Sequence, residues 1–265
     1  HFLFSYYLCM KNKDGMWSKN KLKLVRSLSQ KKYREAERAF VAEGPKVVGD
    51  MIEHFTCRLL AGTPEFISAH RKFSAREVAI VSQKELEQAS SLRAPHDVLA
   101  VFDLPEEPDN MVCPDGQTLM LALDGIQDPG NLGTIVRLSD WFGIDHIYCS
   151  FDTADVFAPK VVQATMGALA RVKVHYVNLT DWLSSLPSDY PVYGTFMDGQ
   201  NIYEEPLSKG GVIVMGNEGN GIRPEVGAAV TRRLHIPSFP LERPTSESLN
   251  VAIATAIVAA EFRRR

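Results

Sequence analysis

DGIQDPGNLGTIVR, residues 124–137, follows directly on the apolar run TLMLAL, and its reading decides the fold. An apolar run ending in Asp124-Gly125, then an Asp-Pro-Gly turn, then helical spacing, is a strand passing through a short loop into a helix. Asn131 stands where that helix is expected to begin, and asparagine is a strong N-cap because its side-chain oxygen accepts an orphan backbone N–H. On a helical wheel Leu132, Ile135, Val136, Leu138 and Phe142 form one broad apolar face, with Arg137 and Asp140 together away from it. Taken alone, Arg137 and Asp140 make an ordinary surface i,i+3 ion pair. Working outward, HIYCSF (146–151) and VIVMG (212–216) are further buried-strand runs with helical stretches between them, an alternation that predicts a mostly parallel sheet covered on both faces.

Two later segments have the same character. VIVMGNEGNGI (212–222) places Gly216-Asn217-Glu218-Gly219 straight after a Val/Ile strand. Loops at strand carboxyl ends face the ligand crevice of an α/β sheet, and glycine lets the backbone approach a ligand closely. No Lys-Ser/Thr follows these glycines and no G-x-G-x-x-G occurs, which excludes a P-loop and the ordinary dinucleotide fingerprint. From LHIPSF the chain runs through Ser248-Leu249-Asn250 into VAIATAIVAAEF, a helix apolar on nearly all sides and so a core element or a subunit interface. Ser248 by itself reads as a helix cap.

In order, spacing and residue types, these three segments resemble the signature motifs of the SpoU/TrmH family of RNA ribose 2'-O-methyltransferases, over residues 119–262. The resemblance implies an α/β fold: a parallel-sheet SPOUT domain at residues 118–265 with a C-terminal trefoil knot, an exception to the rule against threading. It implies S-adenosylmethionine as cofactor, RNA as substrate, and a homodimer through the catalytic domain whose active site lies at or beside the partner subunit. Arg137 matches the family's catalytic arginine and Asn131, Glu218, Ser248 and Asn250 its other motif residues. Met215, Gly216, Asn217, Gly219, Ile236 and Leu249, with His235, would line the cofactor pocket. Family members more often carry serine where Asn217 stands, and the loop SFPLERPTSE is longer and richer in proline than usual. The chemistry implied is attack of a ribose hydroxyl on the cofactor methyl, with Ser248 holding an RNA phosphate and Asn131 orienting Arg137 or the ribose. No metal is required. The alternative is a non-catalytic RNA-binding or ribosome-assembly factor retaining the fold.

The first half has its own pattern. ERAFVAEG, PKVVGDMIEHF, EVAIVS, QKELEQAS and HDVLAVFD alternate strand-like with helical runs, which predicts a small N-terminal α/β domain over residues 1–103. Pro45 after Gly44 marks a helix start. LPEEPDNMVCPDGQ, residues 104–117, breaks every periodicity and is read as the linker. By resemblance the N-terminal domain binds the RNA substrate, with ribosomal RNA favoured over transfer RNA. The net charge of −3 gives no global basic field, but ten Lys or Arg lie between Lys11 and Arg38 against three carboxylates. Lys21, Lys23, Lys31 and Lys32 are therefore the expected RNA contacts. HFLFSYYLCM is too short to span a bilayer and lacks a signal-peptide pattern. Residues 1–17 are read as a disordered or non-native leader, with Met10 or Met16 as candidate starts. Four scattered cysteines without C-x-x-C exclude a zinc framework and fit reduced thiols in a cytoplasmic protein with no membrane attachment.

Overall fold

A computed structural model describes residues 17–106, 114–240 and 248–264. The leader assigned to residues 1–17 lies outside these except for Trp17, and so do residues 107–113 of the linker. The chain divides into two compact units, residues 1–108 with 157–170, and residues 109–156 with 171–265. The excursion 157–170 packs with the first unit, which a contiguous division at the linker does not anticipate.

The first unit opens with helices α1 (Lys19–Ser27) and α2 (Lys31–Glu37), followed by β1 (Ala39–Glu43), α3 (Pro45–Ile52), β2 (Cys57–Gly62), α4 (Pro64–Ala69), β3 (Glu77–Ile80), α5 (Gln83–Ala89) and β4 (Val98–Asp103). Its sheet runs β1-β4-β2-β3, with β4 antiparallel to both β1 and β2 and β3 parallel to β2. Gly44 caps α3 at a φ of 93°, where a side chain would be strained and would also meet His96. Ser82 and Glu85 form a reciprocal capping box on α5. Val41, Leu59, Leu99 and Val101 of the sheet bury against Val25, Leu28 and Leu86 of the helical layer.

The second unit contains β5 (Leu119–Asp124), α6 (Pro129–Trp141) and β6 (His146–Cys149); α7 (Pro159–Ala164) belongs to the excursion. It continues with β7 (Lys173–Tyr176), α8 (Leu179–Ser184), β8 (Val192–Asn201), β9 (Gly211–Gly216), α9 (Pro224–Gly227), β10 (Arg232–His235) and α10 (Val251–Arg264). The strand order is β10-β8-β9-β5-β6-β7 and every neighbouring pair is parallel, as the alternation of runs predicts. β5 and β9 are buried at every position. They sit side by side in register, Leu123 opposite Met215 and Asp124 opposite Gly216, so the loops that follow them leave the sheet together. That common exit is the crevice at the strand carboxyl ends. α10 lies along α6 and encloses it from one side.

Candidate active site

The helix after β5 starts earlier than expected. Asp128, not Asn131, caps α6, its carboxylate accepting the backbone N–H of Asn131 at 2.8 Å. Pro129 fits the first turn because it has no amide to satisfy. Asn131 thus sits inside the first turn with its side chain free to bond elsewhere. Its Nδ2 donates to Glu218 Oε1 at 2.9 Å and its Oδ1 accepts from Asn250 Nδ2 at 2.9 Å.

Asn250 is the cap of α10. Its Oδ1 accepts the backbone N–H groups of Ala252 and Ile253 at 3.0 and 3.2 Å, and its carbonyl accepts that of Ala254. The three side chains consequently form a chain of one polarity. Because the cap needs the Asn250 oxygen, the Asn250 NH2 must face Asn131, and the Asn131 NH2 must then face the Glu218 carboxylate. Ser248 is not the cap; its residue is exposed and makes no hydrogen bond among the described residues.

Glu218 rides on a loop that is fixed at both ends. Asn217 Nδ2 donates to the Gly125 carbonyl at 2.6 Å, while its Oδ1 accepts the backbone N–H of Gly219 and Asn220 at 2.9 and 3.1 Å. Paired backbone hydrogen bonds between Asn217 and Gly221 close the turn. A serine could not do all this with one hydroxyl, so the substitution strengthens the loop's tie to β5. Gly216 is obligatory, since a Cβ there would lie 2.2 Å from the Gly221 carbonyl carbon. The N–H groups of Gly219 and Asn220 turn inward onto Asn217, so the loop is not an anion cradle of the P-loop kind.

At the far end of the loop, Arg223 binds the buried Asp124 carboxylate. Its Nε donates at 2.7 Å and its backbone N–H at 2.8 Å to the other oxygen, Nη2 adds a further bond, and Asp152 lies 3.4 Å away. The hydrogen bond to Asp124 holds the Arg223 guanidinium above its ordinary pKa. Neither residue was among the expected site residues. The signal was an aspartate ending an otherwise wholly apolar strand, because a buried carboxylate needs a partner.

Arg137 is exposed and makes no hydrogen bond or ion pair among the described residues. The i,i+3 pair with Asp140 does not form, because Arg171 takes that carboxylate bidentately at 2.9 and 2.8 Å. Nor does Asn131 orient Arg137 directly: both ends of its amide are used, and six residues of helix separate them by roughly 9 Å along the axis. Arg137 instead shares an exposed face of α6 with Thr134 and with Trp141, which is 84% exposed.

The expected cofactor-lining residues fall into two groups. Met215 and Gly216 are buried, so only their backbone can face the crevice. Gly219 is exposed, Asn217 and Ile236 are half-buried, and Leu249 is 49% exposed, an apolar side chain left to solvent beside Asn250. His235, also half-buried, has Nδ1 at 3.3 Å from the Phe196 carbonyl. Among the described residues no group of three or more His, Cys, Asp or Glu could hold a metal ion.

The four lysines of the first unit differ among themselves. Lys21 is bonded to Glu77, and Lys31 lies 3.9 Å from Glu35. Lys32 sits 4.7 Å from the centre of the Tyr33 ring, and Lys23 is exposed. Of the arginines in the same basic run, Arg34 is buried on the Leu28 carbonyl and Arg38 binds that of Pro105. Two of these cations, Lys21 and Lys31, meet a carboxylate, whereas Lys23 makes no hydrogen bond or ion pair among the described residues.

Comparison with known proteins places these features in context. The SpoU rRNA Methylase family matches residues 118–260, and the MRM3-like substrate binding domain matches residues 19–100. A 23S rRNA guanosine 2'-O-methyltransferase of Bacillus subtilis, RlmP, is 28% identical over 247 residues, covering 92% of this chain and 96% of its own. Among solved structures, a TrmH-family protein from Porphyromonas gingivalis superposes with a TM-score of 0.85 at 46% identity, covering 94% of this chain and 99% of that one. An AdoMet-bound rRNA methyltransferase from Sinorhizobium meliloti gives 0.82 at 28% identity, covering 94% and 97%.

Proposed function

Since the chain belongs to the SpoU rRNA Methylase family, we propose that it methylates a ribose 2'-hydroxyl of structured RNA using S-adenosylmethionine, with ribosomal RNA preferred over transfer RNA. The observation that carries this reading is the Asn250–Asn131–Glu218 chain, which joins one polar residue from each of the three motifs at the carboxyl ends of β5 and β9. The intact motif residues argue against the alternative, a non-catalytic RNA-binding or ribosome-assembly factor retaining the fold. The preference for ribosomal RNA rests on the substrate-binding domain matched at residues 19–100 and on the Bacillus relative.

The residues present fit the cofactor. The loops after the adjacent strands β5 and β9 leave the sheet together, and Ile236, half-buried, and Leu249, 49% exposed, supply apolar side chains for the adenosine part. The cofactor supplies an electrophilic methyl group on a sulfonium. The chain must place the ribose oxygen in line with it and take up the charge and proton that leave that oxygen. A resting guanidinium is protonated, so Arg137 serves first as a fork: it grips the adjacent RNA phosphate and stabilises the developing oxyanion, while the hydroxyl proton passes to that phosphate or, by a brief guanidinium deprotonation, through Arg137. Ser248 holds the same phosphate, and Glu218 with Asn131 and Asn250 fixes the wall against which the ribose packs.

Arg137 lies roughly 9 Å along α6 from Asn131, on an exposed face with Trp141. That surface suits a second copy of the chain, with Arg137 serving a site it shares with the partner; aromatic and arginine side chains are the usual anchors of such interfaces. We read the segment after β9 as the knotted one and the compartment as the cytoplasm, where the buried thiols Cys57 and Cys149 stay reduced. No helix of the described residues is long and apolar enough to cross a membrane. Calorimetric titration with S-adenosylhomocysteine tests the cofactor assignment: saturable binding at roughly micromolar concentration, unaffected by a chelator, is expected, and no binding would leave the non-catalytic alternative.

A further inference from the structure

Between α4 and β3 the chain makes a tight turn, His70-Arg71-Lys72-Phe73, closed by the Phe73 N–H donating to the His70 carbonyl at 3.0 Å. Arg71 and Lys72 occupy its tip, exposed and without a hydrogen bond or ion pair among the described residues. At its base the two rings lie against each other, with centroids 5.0 Å apart. His70 is itself stacked on the buried Phe66 ring at 4.1 Å and its Nδ1–H donates to the Phe66 carbonyl at 3.0 Å. Phe73 packs toward Gly49 of α3, where a side chain would come within 3.5 Å of the ring. Three residues beyond the turn Arg76, 62% exposed, shares the Asp103 carboxylate with Arg58, so two guanidiniums stand on one acid.

Two free cations at the tip of a turn whose base is a fixed pair of half-buried rings is an arrangement that serves unpaired nucleotides. Cations contact the phosphates and a ring face accepts a splayed base, because every base has a stacking face. A solvated lysine-rich helix offers only the first of these: α1 and α2 carry exposed cations such as Lys23, with Lys21 paired to Glu77 and Lys31 near Glu35. We propose that the turn at residues 70–73 captures a single-stranded loop of the RNA substrate, with Arg71 and Lys72 on its phosphates and Phe73, backed by His70, under a base. This assignment rests on the RNA methyltransferase reading and adds where the substrate is first held.

The two kinds of contact separate by salt. In the full chain, binding of protein-free 23S ribosomal RNA is measured over a range of salt concentrations for the natural protein, Arg71→Ala/Lys72→Ala, Phe73→Leu and Lys31→Ala/Lys32→Ala. Each lost phosphate contact on single-stranded RNA removes roughly 0.7 from the slope of log affinity against log salt. The turn-tip double variant should therefore flatten the slope by about 1.4 and weaken binding about tenfold near physiological salt. Phe73→Leu keeps apolar bulk against Gly49; it should weaken binding about fivefold or more with the slope unchanged. The Lys31/Lys32 variant should move neither, and S-adenosylhomocysteine affinity should stay constant throughout. Natural binding and slope in the turn-tip variant would overturn the assignment while leaving the methyltransferase reading intact. Failure of the natural protein to bind 23S ribosomal RNA at all would overturn both. If Phe73→Leu fails to fold, the turn-tip variant alone decides, since its two side chains are exposed.

Discussion

Asn250 does two things with one amide: its oxygen holds the first turn of α10 and its nitrogen begins the chain that ends on Glu218. The two roles can be pulled apart. Asn250→Asp keeps an N-cap as good as asparagine, but it has no hydrogen to give Asn131. The Asn131 amide would then turn toward the new carboxylate and present its oxygen to Glu218. Thermal stability is expected to stay within about 0.5 kcal/mol of the natural protein, while methyl transfer falls by at least about tenfold, equivalent to one lost hydrogen bond to a charged group. Asn250→Ala should lose both the activity and about 1 kcal/mol of capping. Melting curves and kcat/KM for the pair give the answer; full activity in Asn250→Asp would show that the side chain only caps. Asn131, Glu218 and Asn250, named from the sequence, are bonded to one another, whereas Arg137 makes no bond to them among the described residues. The polarity of the chain was not legible in the sequence, because it depends on which residue caps each helix, and Asp128 and Asn250 take places that local sequence offers equally to Asn131 and Ser248.

The elements that hold the site are two buried parallel strands and the loop tied between them. Apolar runs made β5, β6 and β9 readable, and the start signal at Pro45 made α3 so. β8 and β10 were not readable. β8 carries two glycines and no clear alternation, and its pairing with β10 shifts between Arg233 and Leu234, so Gly194 and Gln200 face consecutive partners. The Asp124–Arg223 lock was invisible for another reason: its members lie 99 residues apart. Arg223→Met would leave the buried Asp124 carboxylate with only a backbone donor. Breaking such a pair costs about 3 kcal/mol at the lower end of the usual range, the end that fits a guanidinium still 42% exposed. Released at its far end, the loop should bind S-adenosylhomocysteine more weakly, whereas RNA affinity should be unchanged. The double variant Asp124→Asn/Arg223→Met should recover part of the stability, because no buried charge is then left alone. Equal losses in single and double variants, read from denaturant midpoints, would contradict the lock.

At the scale of the whole molecule, the broken periodicity at 104–117 predicts two units divided at the linker; the compact units are residues 1–108 with 157–170 and residues 109–156 with 171–265, while the family matches cover 19–100 and 118–260. The excursion 157–170 was not legible, since nothing in its composition distinguishes packing on one unit from packing on the other. α10 is apolar on nearly all sides, yet it buries Val251, Thr255, Val258 and Phe262 within its own chain and leaves Ile253 53% exposed. Together with Trp141 at 84%, Ile253 is the exposed apolar surface on which the proposed dimer rests. Trp141→Glu is expected to halve the mass measured by light scattering and to reduce transfer while leaving secondary structure unchanged. A natural protein that is monomeric at micromolar concentration would contradict the shared site.

The central claim is the chemistry at the ribose, and the product reports it directly. The protein is incubated with isotopically labelled S-adenosylmethionine and unmodified 23S ribosomal RNA, and the labelled RNA is hydrolysed in alkali. A methylated 2'-oxygen cannot attack the neighbouring phosphate, so label recovered in alkali-resistant dinucleotides is the predicted result. Arg137→Ala and Arg137→Lys should give none, because neither a methyl group nor a point charge replaces the bidentate fork. Label confined to mononucleotides would place the methyl on a base, and that result, or the absence of transfer by the natural protein, would contradict the account.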